Sequence, residues 1–351
     1  MKVRQLSDSK GLSYLHLVTL SLYAILLGVL VGLIDAVFGR VLIGLSEFRD
    51  HHLFYLVPAL PLAGLLIVYL YQKFAGKAAQ GMGLIFKVGH NEEDQVPLRL
   101  IPLVTVTTWL THLFGGSAGR EGVAVQLGAT VSHAFSRYFK LPNASCIFLT
   151  MGMAAGFGGI FQTPIAATFF SLEVLTLGQL SLPILVPTFI ASFMASTTSH
   201  LLGLEKFSHF VSKSLTIDLE TFMKLALLGL AFGLAGNLFA YLLSLAKKKV
   251  ASLLPNPYYR VLLGGVVLTC LLLILCKGRY TGLGTNLIAL SVDGGIIYPL
   301  DWLFKLFLTV FTLSLGFQGG EVTPLFAIGA SLGAVLAPIL GLPISLIAGL
   351  G

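Results

Sequence analysis

Charge is what this chain lacks. Of its 351 residues only 11% are charged, against 56% hydrophobic, whereas soluble domains carry about 25% charged residues. With a mean hydropathy of +0.91, that scarcity excludes a soluble domain. Apolar runs recur along the whole length, which excludes a soluble body on a single anchor. Cysteine is scarce too: Cys146, Cys270 and Cys276 have no metal spacing and are too few for a disulfide framework. They read as packing residues. The histidines, among them His51, His52, His90, His112 and His133, show no ligand spacing, so no metal and no cofactor is expected. HExxH and a GxSxG with partners are both missing, which argues against an intramembrane enzyme. The net charge of +7 calls for no nucleic acid, because basic residues collect in the cytoplasmic loops of membrane proteins.

What is present is apolar sequence rich in Leu, Ala and Gly, in runs too long for the alternating strands of a membrane barrel. The expected fold is an all-α polytopic bundle, multi-pass in the cell membrane of a bacterium. Its first run, 12–34, is too long for a signal peptide core and lacks a small-residue cleavage site, so it reads as an uncleaved helix. Leu53–Tyr71 and Phe222–Ala246 are also long enough to span. Shorter segments at 100–114, 123–135, 147–156, 165–177, 302–315 and 322–336 are interrupted by Gly and Pro. Such broken or re-entrant helices are tolerated where protein or water covers the backbone, the plan of a transporter or channel core.

An internal repeat sharpens this plan. Gly81-Met82-Gly83 precedes Glu121 by 40 positions, and Gly282-Leu283-Gly284 precedes Glu321 by 39. GREGVAVQLGA (119–129) resembles GGEVTPLFAIGA (319–330) with a one-residue slip. One transmembrane domain over 1–351 is thus expected to contain a first half at 1–210 and a second at 211–351. Lys2, Arg4 and Lys10 place the start of the first helix inside. Asp218 and Glu220 precede the first long helix of the second half and Lys247, Lys248 and Lys249 end it, so it runs the other way. The halves are then inverted repeats, which place an ion site at their interface. The second half stops at AGLG (348–351), before a counterpart of FQTPIAATFFSLE (161–173), so the sequence reads as C-terminally incomplete.

The glycines before Glu121 and Glu321, and the Gly81–Gly83 loop, let backbone approach a ligand closely. Each leads into an apolar helix, whose free N–H groups and partial positive charge favour an anion. Close helix packing is the competing reading of such glycines. Glu121 could be a helix-start acid paired with Arg120. An acid inside a membrane domain is, however, costly and functional by default. Ionised, it would compete with an anion; neutral, it would carry a proton. For Glu321 a capping role stands level with a functional one, and Thr323 offers a hydroxyl in the same helix.

In order, GMGLI (81–85), GGSAGREGVAVQ (115–126), GFGGIFQTPIAATFFSLEV (156–174) and GFQGGEVTPLF (316–326) resemble the CLC chloride channels and anion/proton antiporters. The resemblance implies an inverted-repeat bundle, a homodimer with one anion path per chain, and a gating, proton-carrying role for Glu121. It places the anion path at Gly81, Met82, Gly83, Gly119, Arg120, Gly122, Gly319, Gly320, Glu321, Val322 and Thr323. Phe86 is a candidate for the entry beside Met82, with packing as the commoner role of an aromatic in an apolar loop. Most of the family reads GSGIP where this chain has Met82, and GGIFAP where it has Glu321-Val322-Thr323-Pro324. Both departures resemble the bacterial fluoride-exporting branch, so fluoride export coupled to proton import is expected, with chloride transport as the alternative. The family's chloride/proton antiporters carry two adjacent acids where this chain reads Glu173-Val174, a departure that agrees with the fluoride branch and equally with an uncoupled channel. The second, relaying acid is missing here.

Overall fold

In lipid a helix satisfies its own backbone hydrogen bonds, and helices dominate this chain. A computed structural model describes residues 13–139, 141, 143–175, 182–211, 214–216 and 218–351. Lys2, Arg4 and Lys10, which orient the first helix in the sequence reading, lie outside them, as do residues 176 and 177 of the fourth short segment.

The α-helices run in the order α1 (Tyr14–His51), α2 (Leu53–Leu56), α3 (Leu60–Leu70), α4 (Met82–Gly89), α5 (Leu100–Leu113), α6 (Glu121–Ser136), α7 (Ala144–Phe161) and α8 (Pro164–Val174). They continue with α9 (Leu185–Leu201), α10 (Leu219–Leu253), α11 (Pro257–Ile274), α12 (Thr285–Val292), α13 (Asp301–Leu315), α14 (Val322–Ile339) and α15 (Ile344–Leu350). Among the described residues no extended strand occurs, only two isolated bridges. Among the described residues, seven helical stretches are long and apolar enough to cross a membrane.

Several boundaries differ from those the apolar runs suggest. The first run does not end at Ile34, because α1 continues through Asp35 and Arg40 to His51. Asp35 is fully buried, and Arg40 donates to the carbonyl of Leu202 at 2.8 Å. The 53–71 run is broken after α2 by a 3-10 turn at Val57–Ala59 that contains Pro58, whose ring fixes φ and removes a donor. Lys247, Lys248 and Lys249 form part of α10 rather than a loop after it, as lysine is a good helix former. Helices α9 and α11 add two spans that the apolar runs alone left out. Asn256 starts α11 by accepting from the Tyr258 amide at 2.9 Å, with Pro257 at the first helical position. Of the cysteines only Cys146 is buried; Cys270 and Cys276 are exposed and fill no core.

The chain divides into two compact units. Of the described residues, unit 1 gathers those within 1–43, 70–106 and 121–207, and unit 2 those within 44–69, 107–120 and 208–351. The units therefore do not follow the order of the chain: 44–69 and 107–120 pack with the later segments. Unit 1 is built on the pairing of α6 with α7. A Cβ on Gly128 would overlap the Gly152 carbonyl, and one on Gly156 would overlap that of Ala124. These glycines serve close helix packing. The core beside them joins Leu20, Leu27, Phe148, Met151, Ala191 and Ala195. In unit 2, Ala118 of the glycine-rich loop packs with Phe239, Leu243, Leu306, Val310 and Ile328. Trp302 lies partly buried against that cluster.

Candidate anion-binding site

Four glycine stretches end at helix starts, and each unit holds two of those starts. In unit 1, Gly81 turns the chain with φ +53° and caps α4, so Met82 is the first residue of that helix. Only glycine adopts that region freely. Gly83 is exposed, and a Cβ there would meet nothing within 4 Å among the described residues. Packing thus makes no demand on it. Met82 and Phe86 are half-buried. A Cβ on Gly81 would stand 3.5 Å from Oε1 of Gln126, a polar residue on α6 that the sequence reading passed over. Glu121 opens α6 with only 1% of its surface exposed, and Gly122 follows it half-buried.

In unit 2 the loop Gly115–Arg120 meets both glycine stretches of the later sequence. Gly119 and Gly320 exchange reciprocal backbone hydrogen bonds, each amide donating to the other's carbonyl at 2.6 Å. Ser117 forms the second bridge with Gly282: the Ala118 amide donates to the Gly282 carbonyl, and the Gly282 amide to that of Gly116, both at 3.2 Å. Gly319 is required by this closeness, because a Cβ would stand 2.5 Å from that of Ala118. The repeated motifs therefore pair with one another, glycine to glycine.

The helix start beyond Gly320 differs from that of α6. Glu321 is the N-cap of α14, without a side-chain capping bond. It is half-exposed, with Lys247 Nζ 3.4 Å from its carboxylate. Val322 is the first helical residue, half-buried, and Thr323, next along, is 5% exposed. Arg120 is buried at 6% exposure. The expected site residues are thus distributed as Gly81, Met82, Gly83, Phe86, Glu121 and Gly122 in unit 1, and Gly119, Arg120 and residues 319–323 in unit 2.

Three of the histidines have polar neighbours. His112 is fully buried, its ring nitrogens 2.9 and 3.0 Å from the carbonyls of Thr108 and Ala118. His90 lies 2.7 Å from the Leu175 carbonyl, and His133 3.1 Å from the Ser145 hydroxyl. Sequence reasoning missed Arg49 and Lys305, buried at 4% and 0% exposure. Neither belongs to a motif, and only their position against the glycine loops marks them.

Comparison with known proteins shows the family. The voltage gated chloride channel family profile matches residues 63–351. A chloride/fluoride channel protein of Pseudomonas syringae pv. tomato is 34% identical over 333 residues, 93% of this chain and 73% of that protein. The crystal structure of a CLC-type fluoride/proton antiporter superposes with a TM-score of 0.94 at 52% identity, covering 97% of this chain and 86% of that one. A slow cyanobacterial Cl-/H+ antiporter shares the fold at TM-score 0.78 and 18% identity, covering 94% of this chain and 83% of that one. This chain is a multi-pass membrane protein and belongs to the voltage gated chloride channel family, the CLC family.

Proposed function

We propose that this protein exports fluoride in exchange for protons, with Glu121 as the group that yields to the anion and carries the proton. The observation that carries the reading is the position of Glu121, a buried carboxylate at the first residue of α6. There the free amides and partial positive charge of a helix start favour negative charge, whether carboxylate or halide. Membrane burial makes a permanent charge costly, which favours an acid that alternates between ionised and neutral forms. The family supports transport rather than catalysis, and its resemblance implies a homodimer of inverted repeats with one anion path in each chain.

Fluoride over chloride is supported by Met82, where most of the family has a serine, and by Thr323, together with the 52% identity to a fluoride/proton antiporter. A thioether in place of a hydroxyl removes a donor from the ordinary chloride site. The test is anion efflux from liposomes loaded in parallel with fluoride or chloride. Fluoride should leave well ahead of chloride; equal rates would overturn the fluoride reading.

One observation favours a second reading, an uncoupled fluoride channel. Val174 ends α8 where the family's chloride/proton antiporters have a relaying acid, leaving the exposed Glu173 as the acid there. Proton uptake during fluoride efflux separates the two readings.

A further inference from the structure

Lys305 lies in α13 with none of its surface exposed. Its Nζ reaches three oxygens: Ser117 Oγ at 2.9 Å, the Tyr280 carbonyl at 3.2 Å and the Gly282 carbonyl at 2.7 Å. The two carbonyls can only accept. The direction of the third contact follows from the hydroxyls behind it. Thr309 Oγ1 lies 2.8 Å from the Lys305 carbonyl and spends its one hydrogen there. In the 2.8 Å contact between Ser117 Oγ and Thr309 Oγ1, Ser117 must therefore be the donor. With its own hydrogen used, Ser117 can only accept from Lys305. Three acceptors require three N–H donors, which an ammonium has and a neutral amine lacks.

No carboxylate is among these partners. Arg49, whose guanidinium donates to the His112 carbonyl at 2.9 Å and pairs with Asp50 at 2.7 Å, and His112 act on this region; the buried Asp301, four residues before Lys305 in α13, is instead taken up by Arg279 at 2.7 Å and by the Tyr280 hydroxyl at 2.7 Å. The stem of Lys305 crosses Gly284: a Cβ there would stand 2.7 Å from Lys305 Cε. Gly284 has φ +86° and is the N-cap of α12.

We propose that Lys305 is a positioning residue for the anion path, an ammonium that pins the loop before Glu121 to the loop before α12. Both loops carry the glycines that bring backbone amides towards a ligand, and Ser117, Tyr280 and Gly282 lie within them. The ammonium's charge is not cancelled by a carboxylate, so it raises the potential of the loops it holds and favours a halide near them. This rests on the reading of the protein as an anion transporter.

The test compares the wild-type chain with Lys305→Met, which keeps the stem and removes the donors, and with Lys305→Arg, which keeps the charge. Fluoride efflux from liposomes is measured against fluoride concentration, with size-exclusion profiles to confirm folding. Lys305→Met should raise the fluoride concentration for half-maximal efflux by about tenfold, the lower end of the effect of a local potential on substrate concentration. Lys305→Arg should recover part of that loss. A folded Lys305→Met with the wild-type concentration dependence would overturn the proposal, as would a loss of maximal rate alone.

If Lys305→Met does not fold, the wild-type chain decides by 15N-lysine NMR, its buried resonance assigned with Lys305→Arg. An ammonium signal at neutral pH supports the assignment, and an amine signal overturns it. Absence of fluoride efflux from wild-type liposomes would instead defeat the transport reading, leaving the NMR result to judge Lys305.

Discussion

Glu121 and Glu321 occupy matching places in a repeated motif and have opposite surroundings. Glu121 is 1% exposed and is the first residue of its helix. Glu321 is one step outside its helix, with its side chain 46% exposed and Lys247 at 3.4 Å. The repeat supplied two acids, and burial separates them. A buried carboxylate at a helix start occupies a place that also favours an anion. One that faces a lysine across an exposed gap is held by a weak, screened pair. The difference supports the proposal that Glu121, rather than Glu321, carries the transport chemistry.

The largest effect should follow from breaking the buried member. Glu121→Gln keeps size and hydrogen bonding but cannot ionise, so fluoride movement should lose its proton uptake altogether. Intact coupling in liposomes that record both ions would remove Glu121 from the mechanism. The Lys305→Met shift ranks next, because it changes the field of the loop without touching the acid.

Met82→Ser sharpens a different contrast, that between this chain and the chloride-type members. Restoring one hydroxyl donor should lower the fluoride-to-chloride efflux ratio by about fivefold, the worth of one hydrogen bond of about 1 kcal/mol. An unchanged ratio would exclude Met82 from selectivity.

The exposed member should matter least for transport. Glu321→Gln and Lys247→Met, alone or together, should change stability by less than about 1 kcal/mol and leave proton coupling intact. A double-mutant cycle on thermal unfolding checks this, and loss of coupling in either variant would erase the distinction between the two acids.

The smallest effect concerns the start of α10. Asp218 accepts from the Thr221 amide at 2.8 Å, and this bond holds its carboxyl below the usual carboxylate range. With the folded value depressed, the cap's contribution is complete above the unfolded value and is lost as pH falls through the folded value. Hydrogen exchange at Thr221, corrected for intrinsic rate, should therefore lose protection on acidification in the wild type. In Asp218→Asn protection should be independent of pH over that range.

Much of the fold was legible because membrane burial writes itself into composition, and the glycine-broken helix starts because they recur at 39 and 40 positions before an acid. Boundaries were less so. Asp35 and Arg40 look like the end of a span, yet α1 runs through both because unit 1 buries the acid and bonds the base. At the site, three of the four helix starts could be read from the chain, but Lys305 could not. It stands five positions into an apolar helix, and its partners come from residues 117, 280 and 282. Only folding brings those segments together, and a lone lysine carries no spacing that announces them. Gln126 was hidden for a similar reason: it matters only because Gly81 comes to lie beside it.

The central claim is that anion and proton share the buried carboxylate of Glu121, so the two fluxes must be coupled. Liposomes holding the wild-type chain and an outward fluoride gradient, with the interior already more acidic than the bath, provide the direct measurement. Fluoride leaving down its gradient should drive protons inward against theirs, further acidifying the interior. Fluoride efflux that leaves the proton gradient to decay as in protein-free liposomes would contradict the account.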